Sequence, residues 1–252
     1  MPFPPLSQAR FKRYRRLSEK RYRKKQALFL IEGVKLVQEA LRAGAELEAV
    51  VLSEQAELPD ALLKRLPKNN TFAATEADFA ELHTQENPEG IVAVLPLPDA
   101  PAFEKAPGPA FVLEGVRDPG NLGTLLRTAD WFGFPAIYLT TDCVDAYNPK
   151  VLRAAMGAHF RVQLFVLDDL PGFVDAQADR MIATQLGGEP LAMNSLSDRD
   201  LIVLGSESHG LSQAVLGHPE VLRVEIPGGG GAESLNVSLA GGIMAFALSQ
   251  SS

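Results

Sequence analysis

The sequence is short of several things, and each shortage excludes something. Among 252 residues there is one cysteine, Cys143. That excludes an internal disulfide and a cysteine-rich zinc site, and it suits a reducing compartment, the cytoplasm. The four histidines, His83, His159, His209 and His218, are scattered without ligand spacing, so no metal is expected. No apolar run is long enough to cross a bilayer, and the N-terminus lacks the apolar stretch of a secretory signal, so no membrane partner is expected. What is present is a 46% hydrophobic chain, long enough for one large or two modest domains with a sizeable core.

The net charge of −7 hides an asymmetry. Between Arg10 and Lys25, "RFKRYRRLSEKRYRKK" holds ten Lys/Arg and one acid, Glu19, a charge of +9. The remainder, with 14 basic and 30 acidic residues, carries −16. A basic arm on an acidic body is expected to seek a polyanion. Phe11, Tyr14 and Tyr22 are interleaved with the cations, where aromatic faces can stack on unpaired bases. The alternative is a solvated basic helix or a targeting tail.

After the arm, strands and helices alternate. "LFLIEGVKLVQEALRAG" begins as a strand and continues as an amphipathic helix stopped by Gly44. "LEAVVLSE" reads as a buried strand, "LPDALLKRLPKN" as a short helix and Phe72 to Ala74 as a strand. Thr75 and Asp78 resemble a capping box opening "EADFAELH". "GIVAVLPL" closes a small three-layer α/β domain, residues 1–97 with the arm. Residues 98–109, rich in Pro and Ala, read as a linker. From residue 110 to 252, about six strands alternate with helices, which predicts a parallel sheet covered on both faces.

In open parallel sheets, ligands bind beyond the carboxyl ends of strands. Three such ends carry unusual residues. The first is Arg117-Asp118-Pro119-Gly120-Asn121, read as turn chemistry, with Arg127 on the helix behind it. The second is "LIVLGSESHG", with Gly205 and Glu207. The third is "VEIPGGGGAESLNVSLAGGIMAFAL". There Gly228 to Gly231 carry no Cβ, so the backbone can take positive φ and approach a ligand. A phosphate-binding loop would need Lys and Ser/Thr where Ala232 and Glu233 stand. The helix that follows is apolar on all sides, which predicts full burial. Taken singly, each residue has a plain reading: Arg127 pairs with Asp130, Glu207 is solvated, and Asn236 caps the last helix.

"NLGTLLRTADWFGF", "LIVLGSESHGLS" and "IPGGGGAESLNVSLAGGIMAFAL", in this order, resemble the three motifs of the SpoU/TrmH family of RNA ribose 2′-O-methyltransferases, members of the knotted SPOUT group. The resemblance covers Phe111 to Leu248. "FLIEGVKLVQEAL" and "ENPEGIVAV" resemble the substrate-binding domain often fused before it, which is similar to a small ribosomal RNA-binding protein. The resemblance implies a C-terminal α/β knot domain, a homodimer with sites at the interface, S-adenosylmethionine as cofactor and RNA, ribosomal rather than transfer, as substrate. It assigns Asn121, Arg127, Glu207, Ser234 and Asn236 to catalysis. Gly205, Ile226, Leu235 and the loop at Gly228 are assigned to the cofactor, largely through backbone. The run of four glycines is longer than the motif usually shows. Two other classes stand beside this reading. One is a non-catalytic RNA-binding protein. The other, a nicotinamide-dependent oxidoreductase, is disfavoured by the lack of G-x-G-x-x-G.

Overall fold

The computed structural model describes residues 3–99, 108–191, 196 and 200–250. In chain order the elements begin with α1 (Gln8–Tyr14), α2 (Lys20–Gln26), β1 (Leu28–Glu32), α3 (Val34–Arg42) and β2 (Ala49–Ser53). They continue with α4 (Asp60–Leu63), β3 (Thr71–Ala74), α5 (Glu76–Ala80), β4 (Ile91–Pro96), β5 (Ala110–Leu113) and α6 (Pro119–Trp131). Next come β6 (Ala136–Thr140), α7 (Pro149–Ala155), β7 (Gln163–Leu167), α8 (Leu170–Gln177) and β8 (Met181–Pro190). The last are β9 (Leu201–Leu204), α9 (Gln213–Leu216), β10 (Leu222–Glu225) and α10 (Val237–Ser249). The contacts group Met1–Asp99 with Asp145–Phe160 as one unit, and Ala100–Val144 with Arg161–Ser252 as another. Of the expected linker, residues 100–107 lie outside the described residues.

The first unit is a four-stranded sheet in the order β1-β4-β2-β3, with β2 and β3 parallel and the other pairs antiparallel. Alternation along each strand sends side chains to opposite faces. Phe29, Ile31, Val50, Leu52, Ala93 and Leu95 pack with Leu36, Val37 and Ala40 of α3. Leu30, Val51, Phe72, Val92 and Val94 pack with Phe11, Tyr14, Leu17 and Phe79 on the other side. This gives the three layers the sequence predicts. Thr75 accepts a hydrogen bond from the Asp78 N–H at the start of α5, and Gly44 sits at φ +69° just past α3, as a C-terminal stop requires.

Two expectations need correcting here. The basic arm is a pair of short helices built into this unit. Its aromatic residues are not offered to bases: Phe11 and Tyr14 are buried, Tyr14 to 1% exposure, and the Arg16 guanidinium lies 3.6 Å from the centre of the Tyr22 ring. The apolar share of the arm is what folds it, because Phe11, Tyr14 and Leu17 recur at helical spacing and find the sheet. The second difference concerns Asp145–Phe160, which the sequence reading placed inside the 110–252 domain and which the contacts assign to the first unit. Leu152 enters that unit's core, Arg153 donates to Thr84 at 2.8 Å, and Tyr147 packs on Phe29 with ring centres 4.9 Å apart.

The second unit is a six-stranded parallel sheet in the order β10-β8-β9-β5-β6-β7. Its central strands are buried along their whole length, as a sheet covered on both faces requires. Asp118 caps α6 by accepting from the Asn121 N–H at 2.8 Å, with Pro119 at the first helical position. The Asp-Pro-Gly-Asn stretch read as a turn is therefore the first turn of α6. Helix α10 packs against α6 and β9 at Gly241, where an added Cβ would lie 2.4 Å from Leu125 Cδ2. Contrary to expectation, α10 is not buried all round: Leu239 is 60% exposed and Phe246 50%, with Ile243 between them on the same stripe. Among the described residues, no helix is long and apolar enough to cross a membrane.

Candidate active site

The carboxyl ends of β9 and β10 and the middle of β8 border a cleft of about 470 Å³ in the second unit. Its lining includes Thr184, Gln185, Gly205, Glu207, Ile226, Ser234, Leu235 and Asn236. Sheet topology explains the place: at the strand ends the ladder stops and the backbone turns away, leaving unpaired groups around a hollow.

Gly205, Glu207 and Asn236 are each held by a local device. Gly205 ends β9 and lies against the backbone of Gly210, where a Cβ would come within 2.3 Å of the Gly210 carbonyl carbon. Ser206 and Gly210 exchange backbone hydrogen bonds of 3.2 and 3.0 Å, with Gly210 at φ +65°. Glu207 rides on this tight turn, and the Ser206 hydroxyl accepts from the His209 N–H at 3.1 Å. Asn236 is the N-cap of α10, accepting from the N–H groups of Ser238 and Leu239 at 3.0 and 3.4 Å.

The three sequence motifs meet in one hydrogen-bonded line. Asn236 Nδ2 donates to Asn121 Oδ1 at 3.0 Å, and Asn121 Nδ2 donates to Glu207 Oε1 at 2.6 Å. The Asn121 amide can face only one way in this line: its donor meets the carboxylate and its acceptor meets the other amide. Nearby, the Thr140 hydroxyl donates to Asp142 and holds that carboxyl below its usual range, and Arg117 reaches the same carboxylate at 3.5 Å.

Two predicted residues lie elsewhere. Arg127 stands on the exposed side of α6 and does not line the cleft. Its expected partner Asp130 is taken by Arg161, at 2.8 Å through both Nε and Nη2. Gly228 does not line the cleft either. None of Gly228 to Gly231 takes a positive φ, and a Cβ at any of them would meet open space. The expected need for glycine in that loop is therefore not met within this chain. The sequence reading missed Thr184 and Gln185, whose Oγ1 and Oε1 atoms are buried without a hydrogen-bond partner.

The sequence matches the model of the SpoU rRNA Methylase family over residues 109–246 and that of the MRM3-like substrate binding domain over residues 8–93. It is 32% identical, over 94% of both chains, to the Bacillus subtilis protein named 23S rRNA (guanosine(2553)-2'-O)-methyltransferase RlmP. A mouse protein named rRNA methyltransferase 3, mitochondrial, is 35% identical over 57% of this chain but only 36% of its own length. Among solved structures, a TrmH-family protein from Porphyromonas gingivalis superposes with a TM-score of 0.83 at 33% identity, covering 98% of this chain and 99% of that one. A structure described as an AdoMet-bound rRNA methyltransferase from Sinorhizobium meliloti gives 0.80 at 26% identity, over 98% and 96% of the two chains.

Proposed function

This chain belongs to the SpoU rRNA methylase family, and from that premise we propose that it moves a methyl group from S-adenosylmethionine to a ribose 2′-OH of ribosomal RNA. The observation that carries the reading is the line Glu207–Asn121–Asn236, which ties three separated motifs to the rim of one cleft. The second unit carries the chemistry, and the first, matched by a substrate-binding model, holds the RNA.

The cleft suits the cofactor. Its volume is that of a small-molecule site, and Gly205, Ile226 and Leu235 border it together with the polar residues Thr184 and Gln185. When bound, S-adenosylmethionine supplies a methyl on a positively charged sulfur, a good leaving group. The protein's task is alignment of the 2′-hydroxyl and removal of its proton. Alignment alone supplies about 7–11 kcal/mol. Glu207 and Asn121 orient the hydroxyl, and Ser234 and Asn236 position the ribose. Arg127 grips the adjacent phosphate and favours loss of the hydroxyl proton by its charge; a guanidinium does not itself act as base at neutral pH.

We further propose a homodimer, closed through the exposed stripe Leu239, Ile243 and Phe246 together with Trp131, which is 83% exposed. In that arrangement Arg127, outside the cleft of its own chain, completes the cleft of a second copy. The packing of α10 back onto α6 and β9 supports a C-terminal knot of the family kind. The Bacillus subtilis relative named as a 23S rRNA methyltransferase supports a location in the cytoplasm.

Arg127→Lys tests the role given to the guanidinium. Because a lysine keeps the charge but loses the planar fork, turnover on ribosomal RNA is expected to fall about 100-fold or more, with cofactor affinity by calorimetry unchanged. Near-normal turnover would rule the role out. Mapping ribose methylation across total RNA, in cells with and without the protein, identifies the nucleotide and tests ribosomal against transfer RNA.

A further inference from the structure

The ten cations between Arg10 and Lys25 divide into two sets. Five arginines are committed to the fold. Arg10 covers the Phe72 ring at 4.3 Å, Arg13 pairs with Glu48 at 2.8 Å, and Arg15 pairs with Glu81 at 3.1 Å. Arg16 grips Glu19 at 2.9 and 3.2 Å. Arg23, only 2% exposed, donates to the carbonyls of Leu17 and Ser18 and to Asp145. Among the described residues, the side chains of Lys12, Lys20, Arg21, Lys24 and Lys25 make no hydrogen bond or ion pair, and all five residues are exposed.

Four of these free cations lie on α2, and helix geometry sets them together. At 3.6 residues per turn, Lys20, Lys24, Arg21 and Lys25 fall within an arc of about 140°. The opposite arc holds Tyr22, Gln26 and Arg23, all buried or partly buried. So Arg23 anchors the helix on its inner side while its outer side carries four exposed positive charges, none of them in an ion pair, although Arg21 also feels the Glu19 carboxylate. Glu19, the one acid in the run, is already occupied by Arg16.

What this face recognises follows from what it lacks. Sequence-specific binding of unpaired RNA uses free aromatic faces, whereas base-paired RNA is bound through phosphates and 2′-hydroxyls. Phe11 and Tyr14 are core, and the rings of Tyr22 and Phe72 are each covered by an arginine. We propose that Lys20, Arg21, Lys24 and Lys25 form a phosphate-binding face for base-paired RNA, so that the first unit holds its substrate by the backbone of a helix and not by stacking on unpaired bases. The proposal rests on the reading of the chain as an RNA methyltransferase and adds the place and the mode of RNA contact.

The test uses the full-length chain, a fluorescent RNA duplex and oligouridylate, with anisotropy read across a salt series. Changing all four residues to Gln is expected to lower the slope of log affinity against log salt by about 4, and each single change by about 1. The duplex is expected to bind more tightly than oligouridylate, and Tyr22→Leu to leave duplex binding intact. An unchanged slope in the quadruple variant overturns the proposal, and so does tighter binding of oligouridylate that is lost in Tyr22→Leu. Unaltered thermal unfolding shows that the quadruple variant is folded, since all four side chains are exposed. Cofactor binding by calorimetry is independent of this face, so its failure would count against the methyltransferase reading and not against the face.

Discussion

Asn236 uses the two atoms of its amide for two tasks. The oxygen caps α10 and the nitrogen reaches Asn121. A substitution can separate them. Asn236→Asp keeps a capping oxygen, which the helix N-terminus favours, but loses the donor to Asn121. The expected outcome is thermal stability within about 1 kcal/mol of the parent, the scale of a cap, together with a methyl-transfer rate lower by one to two orders of magnitude in single-turnover assays. Equal loss of stability and rate would mean that the cap alone matters. The cap and the catalytic assignment are both legible in the sequence, but as rival readings of one residue; in the structure the capping oxygen leaves the amide nitrogen directed at Asn121, so the cap does not exclude the proposed role. Thr184 and Gln185 were not legible, because two polar residues in the middle of a strand have no distinguishing spacing. Only the neighbouring strand ends reveal that they face a hollow.

Elements were read well where the pattern is local. Capping at Thr75, the stop at Gly44 and the run of parallel strands each follow from chemistry within a few residues. The reading failed where a partner decides. An apolar helix looks buried on every side, yet α10 presents one stripe outward, since hydrophobicity does not say whether the cover comes from the same chain. Aromatic residues among cations look like a stacking surface, yet Phe11 and Tyr14 serve the sheet beneath. The short 3-10 turn Ala158–Phe160 supplies a prediction of its own. Burial pushes the His159 pKa down to about 4 from 6.5, against the opposing hydrogen bond to the Ala146 carbonyl. The fold therefore prefers the neutral ring. Its contribution is complete above pH 6.5, the ordinary value, and is lost as pH falls towards 4. Unfolding midpoints recorded across this window should drop with acid in the parent and drop less in His159→Gln.

At the scale of the whole molecule, the paired state can be tested with charge. Leu239→Glu combined with Phe246→Glu places carboxylates on the exposed stripe of α10. Sedimentation is expected to give the monomer mass, with methyl transfer lost. Mixing Arg127→Lys protein with Glu207→Gln protein under conditions of subunit exchange is expected to recover turnover, because one of the two mixed clefts then has both residues intact. No recovery would place Arg127 and Glu207 in service of the same chain's cleft. The two-unit plan was legible from alternating strands and helices and from the Pro/Ala-rich stretch between them. The allegiance of Asp145–Phe160 was not, since nothing in "DAYNPKVLRAAMGAHF" records that its partners lie 69 (Thr84) to 122 (Arg23) residues upstream. That allegiance has a consequence for synthesis. A nascent chain leaves the ribosome from its N-terminus and domains tend to close as they emerge. Here the leading unit must wait, its Arg23 charge unmatched by Asp145 and its sheet uncovered by Leu152, until translation has passed residue 160 and the first two strands of the trailing sheet, β5 and β6, have already been made.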